Sequence, residues 1–192
     1  MENYPVPPAG SLSLSKLGVG CWAFGGGDYW GNQDQRDVEE VVHTALEAGI
    51  NLFDTARMYN DGKSEQSLGK ALSGIREKAV ICSKVSPAKA YYHTLMEECE
   101  TSLRNLGTDY IDIYMLHWPL CPVSLRHFTE DSAVLSNPPT SEEAFAALSQ
   151  LKKEGKILHI GVSNYGPIQL KEALAICPDI EVNELTYNIL SR

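Results

Sequence analysis

The chain has 192 residues, 43% hydrophobic and 21% charged, with 16 Lys and Arg against 25 Asp and Glu for a net charge of −9. That is ordinary globular composition at a length for one domain, which excludes a disordered chain. An acidic balance without a Lys/Arg run argues against nucleic-acid binding, and no stretch approaches the ~20 apolar residues of a membrane span.

MENYPVPPAG at the N-terminus has no basic start and no apolar core, so no secretory leader is expected. Leu14 to Val19 is predicted as a first strand. Gly18-Val19-Gly20-Cys21-Trp22-Ala23 matches the dinucleotide pattern G-x-G-x-x-A, but that motif needs a helix to open at once. Gly25-Gly26-Gly27-Asp28-Tyr29-Trp30-Gly31 follows instead as loop, so the glycines read as a tight strand exit. Residues 35–48 carry Val38, Val41, Val42, Ala45 and Leu46 at helical spacing, and Gly49 ends the helix. Ile50 to Phe53 is a short buried strand. Ser64 is predicted to cap a helix with Leu68, Ala71 and Leu72 inside, and Ala79 to Cys82 is the next strand.

A third helix spans about Ala90 to Leu106, with Leu95, Cys99, Leu103 and Leu106 on one side and Gly107 after it. Tyr110 to Leu116 is a strand. Residues 118–139, with Pro119, Pro122, Pro138 and Pro139, read as one long irregular stretch, a lid or substrate loop. Thr140 and Glu143 form a capping box ahead of Phe145, Leu148 and Leu151. Ile157 to Val162 is a strand, Pro167 opens a helix carrying Leu170, Ala173 and Leu174, and Ile180 to Val182 begins one more strand. The five cysteines (Cys21, Cys82, Cys99, Cys121 and Cys177) show no metal spacing and read as free thiols in a reducing cytoplasm. Strands alternating with helices predict a parallel α/β sheet, either an open doubly wound one or a (β/α)8 barrel.

Each strand runs into a polar residue: Asp54, Lys84, His117, Ser163 with Asn164, and Asn183 with Glu184. Singly, each has a plain explanation. Asp54 can cap a turn, Lys84 can snorkel to solvent, His117 can be a satisfied polar residue, and Ser163-Asn164 can cap a helix. Their shared position at the ends of successive strands argues for one mouth, since barrel sites gather there. Tyr59 follows five residues after Asp54. No Ser or Cys beside a His base stands out, so the set points to proton transfer. On this reading Lys84 lowers the Tyr59 pKa, Asp54 holds Lys84, and His117 hydrogen-bonds a substrate oxygen. Such an acid suits carbonyl reduction, with hydride from a cofactor because no side chain supplies one.

These residues resemble the aldo-keto reductases. The stretches that carry the likeness are LGVGCW (17–22), AGINLFDTARMY (48–59), GKSEQSLGKAL (62–72), SK (83–84), SLRNLGTDYIDIYMLHWP (102–119) and GKILHIGVSN (155–164). The resemblance implies a (β/α)8 barrel that reduces aldehydes or ketones with NADPH, NADH not being excluded. It implies Tyr59 as general acid, supported by Asp54, Lys84 and His117. Ser163 and Asn164 are implied as partners of the nicotinamide carboxamide, with Trp22 and Trp118 lining the substrate pocket. Glu184 stands where the family usually has Gln and is expected to weaken or reorient the same contact. A full barrel runs to about 250 residues, so 1–192 is expected to be a single domain of about six of eight units, lacking the last two. Its open edges are expected to favour self-association. The competing function is an inactive truncated barrel that binds or regulates.

Overall fold

The computed structural model describes residues 3–5 and 12–190. The N-terminal stretch read for a leader therefore lies, apart from 3–5, outside the described residues. Two strands, β1 (Asn3–Pro5) and β2 (Ser13–Ser15), form an antiparallel hairpin. Six further strands follow: β3 (Gly18–Gly20), β4 (Leu52–Asp54), β5 (Val80–Val85), β6 (Ile111–Leu116), β7 (Ile157–Ser163) and β8 (Ile180–Glu184). They pair in parallel and in chain order, as a curled, incomplete (β/α)8 barrel.

The two faces of the sheet bury different layers. The outer layer includes Phe53, Ile81, Tyr114, Leu116, Ile160 and Val162. Over it lie α1 (Gln35–Glu47), α2 (Lys63–Ala71), α3 (Tyr92–Leu106) and, after the two short helices α4 (Pro122–Phe128) and α5 (Ser132–Ser136), α6 (Ser141–Lys153) and α7 (Pro167–Ile176). The predicted stripe Leu95, Cys99, Leu103 and Leu106 is buried there. The inner layer is Val80, Cys82, Ile113 and Met115, with Leu12 from below and Leu14, Leu52 and Val182 packed against it. Gly161 belongs to this inner face: a Cβ there would sit 3.1 Å from Met115 Cβ and 3.3 Å from Ile113 Cγ2. Asn51 fastens the hairpin to the barrel floor, accepting from Ser15 N (2.8 Å), donating its backbone N–H to Ser15 Oγ (3.0 Å) and its amide to Ser13 O (2.9 Å).

Four expectations change. The strand predicted over Leu14 to Val19 breaks at Lys16-Leu17, where the Ser15 hydroxyl donates to Leu17 O at 2.6 Å, so that β2 serves the hairpin and β3 the sheet. Ser64 does not cap α2. Gly62, at φ +82°, precedes the helix, while the Ser64 hydroxyl donates to Cys21 O (2.7 Å) and pairs with Thr55 Oγ1 (2.7 Å). Residues 118–139 are not irregular throughout, for Pro122 opens α4 (Pro122–Phe128) and Asp131 caps α5 (Ser132–Ser136). The stripe on α7 is only partly inside: Ala173 is buried and Leu170 packs partly buried against the outer layer, whereas Leu174 is exposed, as are the neighbouring Ile168 and Ile176, because α7 flanks the open edge of the sheet. The capping box of Thr140 and Glu143 is present, as are Pro167 in the first turn and the left-handed Gly107 after α3. No helix opens after Gly20, which leaves the dinucleotide pattern without the helix end it requires.

Candidate active site

The parallel sheet sends all six strand C-termini to one rim, where β4 ends on Asp54, β7 on Ser163 and β8 on Glu184. Lys84 lies one residue before the end of β5 and is almost fully buried, at 1% exposure. Its ammonium pairs with the Asp54 carboxylate, donates to Thr55 O at 3.1 Å and stands 3.6 Å from Glu184 Oε2. Burial opposes the Lys84 charge, but the acidic groups around it outweigh burial and raise its pKa.

Tyr59 starts a single tight turn, Tyr59–Gly62, directly after the β4 loop. Its Oη lies 3.4 Å from His117 Nε2, the two rings meeting edge to face at 5.6 Å, and Lys84 Nζ lies 5.3 Å from the phenol ring centroid. Burial raises the Tyr59 pKa, and Asp54 and Glu184 add to it. Lys84 pulls the other way without prevailing, which corrects the expectation that it would lower the phenol's value overall. Burial, helped by the Lys84 charge, pushes His117 down to about 3, so the imidazole is neutral at neutral pH. His117 Nδ1 is buried with no hydrogen-bond partner among the described residues.

Ser163 is buried, and Asn164 adopts φ +63°, a left-handed conformation that Asn tolerates better than most side chains. Asn164 donates its amide to His117 O (3.1 Å) and Ser163 Oγ (3.0 Å), and its backbone N–H to Glu184 O (2.8 Å). Trp22, half exposed, lies 6.1 Å from the Tyr59 ring. Trp118 packs with His127 at 6.1 Å and Phe128 at 6.2 Å, and Phe128 in turn approaches His117 at 5.9 Å. The structure therefore brings Asp54, Tyr59, Lys84, His117, Ser163, Asn164 and Glu184 onto one rim, with Trp22 and Trp118 beside them. Ligand atoms of Asp54, Cys82 and Glu184 also lie within 4.8 Å of one another, but a cation is already there in Lys84, and burial keeps the Cys82 thiol protonated. A neutral donor, a phenol, an imidazole and a buried ion pair suit protonation of an oxygen as charge develops on it.

The model of the Aldo/keto reductase family matches residues 16–192. The chain belongs to that family. It is 35% identical over 195 residues to methylglyoxal reductase YeaE of Escherichia coli, an alignment that takes in 100% of this chain and 61% of that protein. Its fold resembles the thermostable aldo-keto reductase Tm1743 in complex with the inhibitor epalrestat, with a TM-score of 0.81 and 31% identity over 98% of this chain and 64% of that one. It also resembles an aldo-keto reductase from Klebsiella pneumoniae in complex with NADPH, with a TM-score of 0.76 and 30% identity over 97% of this chain and 59% of that one. The chain thus spans about three-fifths of the length of these relatives.

Sequence reasoning missed several residues of this rim. Tyr29 stacks on Trp22 at 5.5 Å with rings 8° from parallel, and Trp30 meets Trp22 edge-on at 5.3 Å. The loop's aromatic content was the available signal. Gly25 lets that loop come in close: at φ +79°, a Cβ there would stand 2.6 Å from Lys63 Cβ. Asn60 ties it down, donating to Trp22 O at 2.6 Å and Phe24 O at 2.9 Å from a left-handed backbone at φ +51°. Its place beside Tyr59 was the clue.

Proposed function

We propose that the chain carries the reaction centre of a carbonyl reductase that uses a nicotinamide cofactor, NADPH in the first instance, with Tyr59 as the proton donor. The observation that carries this reading is the approach of Tyr59 Oη to His117 Nε2 at 3.4 Å beside the buried pair of Lys84 and Asp54. A carbonyl oxygen set against these two atoms can accept from both. Tyr59 gives up its proton as the oxygen gains charge, and neutral His117 donates from Nε2 to keep that oxygen in line. Lys84, held charged by Asp54, stabilises the phenolate left on Tyr59.

The carboxamide of such a cofactor needs a partner for its oxygen and partners for its amino group. The rim supplies them: the Ser163 hydroxyl is free to donate once Asn164 has donated to it, and Asn164 Oδ1 and Glu184 Oε1 are acceptors. The residues present therefore fit the nicotinamide end. Bound NADPH would supply the hydride that no side chain can. Trp22 and Trp118, with Tyr29 and Phe128, wall a place for a small carbonyl substrate. On this reading residues 1–192 form a single domain of six barrel units, and its open edges favour association with a second copy. The five unpaired cysteines fit a reducing compartment such as the cytoplasm. Among the described residues no helix is long and apolar enough to cross a membrane.

The test is NADPH oxidation with methylglyoxal, measured on the chain and on Tyr59→Phe. General acid catalysis contributes about 10²–10⁴-fold, so kcat of the variant falls by at least about 10²-fold while cofactor affinity holds. Equal turnover by the variant assigns the proton to another group.

A further inference from the structure

The turn that carries Tyr59 is wound in the unfavourable hand. After Tyr59, Asn60 (φ +51°, ψ +40°), Asp61 (φ +54°, ψ +43°) and Gly62 (φ +82°) are all left-handed. Residues with a Cβ visit that region singly, and a run of this kind persists only where the surroundings over-determine it. Both ends of the turn are held. Gly62 is wedged in place, since a Cβ there would lie 2.8 Å from Asn105 Nδ2 and 3.0 Å from Arg57 Nη1. Beside Tyr59, the Asn60 amide donates to Trp22 O (2.6 Å) and Phe24 O (2.9 Å), 38 and 36 positions earlier in the chain. The loop then folds back over the same side chain: a Cβ on Gly27, at φ +126°, would lie 3.2 Å from Asn60 Oδ1. Gly27 and Gly31 exchange backbone hydrogen bonds of 2.9 and 2.7 Å, which close the loop around Tyr29 and Trp30 and set both rings against Trp22.

We infer that Asn60 is a positioning residue for the reaction centre: its amide fastens the Trp22 loop to the Tyr59 turn, so that the aromatic wall and the proton donor are set as one piece. This rests on the reading of Tyr59 as proton donor and deepens it. Trp22 and Tyr59 belong to different loops, one after β3 and one after β4, and their ring centroids lie 6.1 Å apart. Asn60 stands next to Tyr59 in the second loop and hydrogen-bonds the backbone of the first. Asparagine meets both demands of the position. It tolerates a left-handed backbone better than most side chains, and its amide carries two N–H donors for two carbonyls. Aspartate tolerates the backbone but has no donor, and glycine relieves the backbone but has no side chain. A carbonyl compound resting on the Trp22 wall therefore meets Tyr59 Oη at a distance fixed before it binds, and a misplacement of about 1 Å in such an arrangement costs about 10²-fold in rate.

The experiment is a nuclear Overhauser measurement between the Trp22 and Tyr59 rings, the two signals being identified by their loss in Trp22→Phe and Tyr59→Phe. The unaltered protein is expected to show the cross-peak, and Asn60→Gly, which removes both donors without straining the backbone, to lose it while far-UV circular dichroism is unchanged. Should Asn60→Gly prove unfolded, Asn60→Asp decides, since it keeps the size of the side chain and its tolerance of the turn but not its donors, and it too should lose the cross-peak. A cross-peak of undiminished intensity in the folded variant overturns the inference. In the NADPH oxidation assay kcat of the same variant falls by about 10²-fold, and an undiminished kcat overturns the inference as well. The cross-peak needs neither cofactor nor turnover. A protein without reductase activity therefore leaves the inference to be decided by the rings alone, and a cross-peak that survives the substitution leaves the reductase reading standing.

Discussion

His117 shows how a single buried side chain couples this site to stability. Folding holds its imidazole neutral, with a value pushed down to about 3 from the ordinary 6.5. An unfolded chain takes up a proton there below about pH 6.5, and the folded chain does not until far lower. The stabilisation is thus complete above pH 6.5 and drains away as pH falls toward 3. At about 1.4 kcal/mol per pH unit, His117 costs the fold roughly 2 kcal/mol by pH 5. Glu184 acts in the opposite sense, since its raised carboxyl takes up a proton first in the folded state. It is two-fifths exposed, so it offsets part of the effect. Urea unfolding of Glu184→Gln at pH 7 and pH 5, which removes that offset, should show the loss, and adding His117→Gln, which cannot take the proton, should flatten it. An equal loss in the variant would move the acid sensitivity to another group.

At the scale of elements, much of the fold was legible because helical stripes and caps are written locally. Leu95, Cys99, Leu103 and Leu106 specify their own buried face, and Thr140 with Glu143 marks a helix start without reference to the rest of the chain. The errors came where a residue's partner is remote. Ser64 looks like a cap, yet its hydroxyl reaches back to Cys21, 43 positions earlier. Tyr59 looked set to be made more acidic by Lys84, but burial, which no sequence spells out, decides the sign. The strand-end residues were found because a parallel sheet makes their convergence a matter of topology. Asn60 escaped because two carbonyls from another loop define its task. The same dependence on remote neighbours leaves part of α7 bare: Ile168 is 73% exposed, Leu174 and Ile176 are exposed too, and beyond β8 lie the exposed Leu185, Tyr187 and Ile189. Apolar surface next to an unpaired strand is a template for a second copy. Sedimentation velocity should therefore find a dimer or larger species at micromolar concentration, and charged substitutions at Ile168 and Leu174 should shift it toward monomer. A monomer at all concentrations would remove the association.

At the scale of the whole molecule, the consequence lies in the order of the sheet. Each of the six strands has its sequence neighbours as its spatial neighbours. A chain emerging residue by residue can add each strand to the last without waiting for a distant segment, and loop closure stays short at every step. Local contacts of this kind also grade the resistance of the sheet to opening. β6, flanked by β5 and β7 and buried at every position, has no exposed side, whereas β8 is partnered on one side and only partly buried beyond Ile180. Amide hydrogen exchange should accordingly be slowest at Ile113 to Leu116 and faster by orders of magnitude along β8. Uniform protection across all six strands would mean that the sheet opens as one block. A graded pattern would mean that the Asp54, Lys84 and His117 end of the rim keeps its shape while Glu184 comes and goes, so that a buried ion pair held by rigid strands meets its third charge on a strand that breathes.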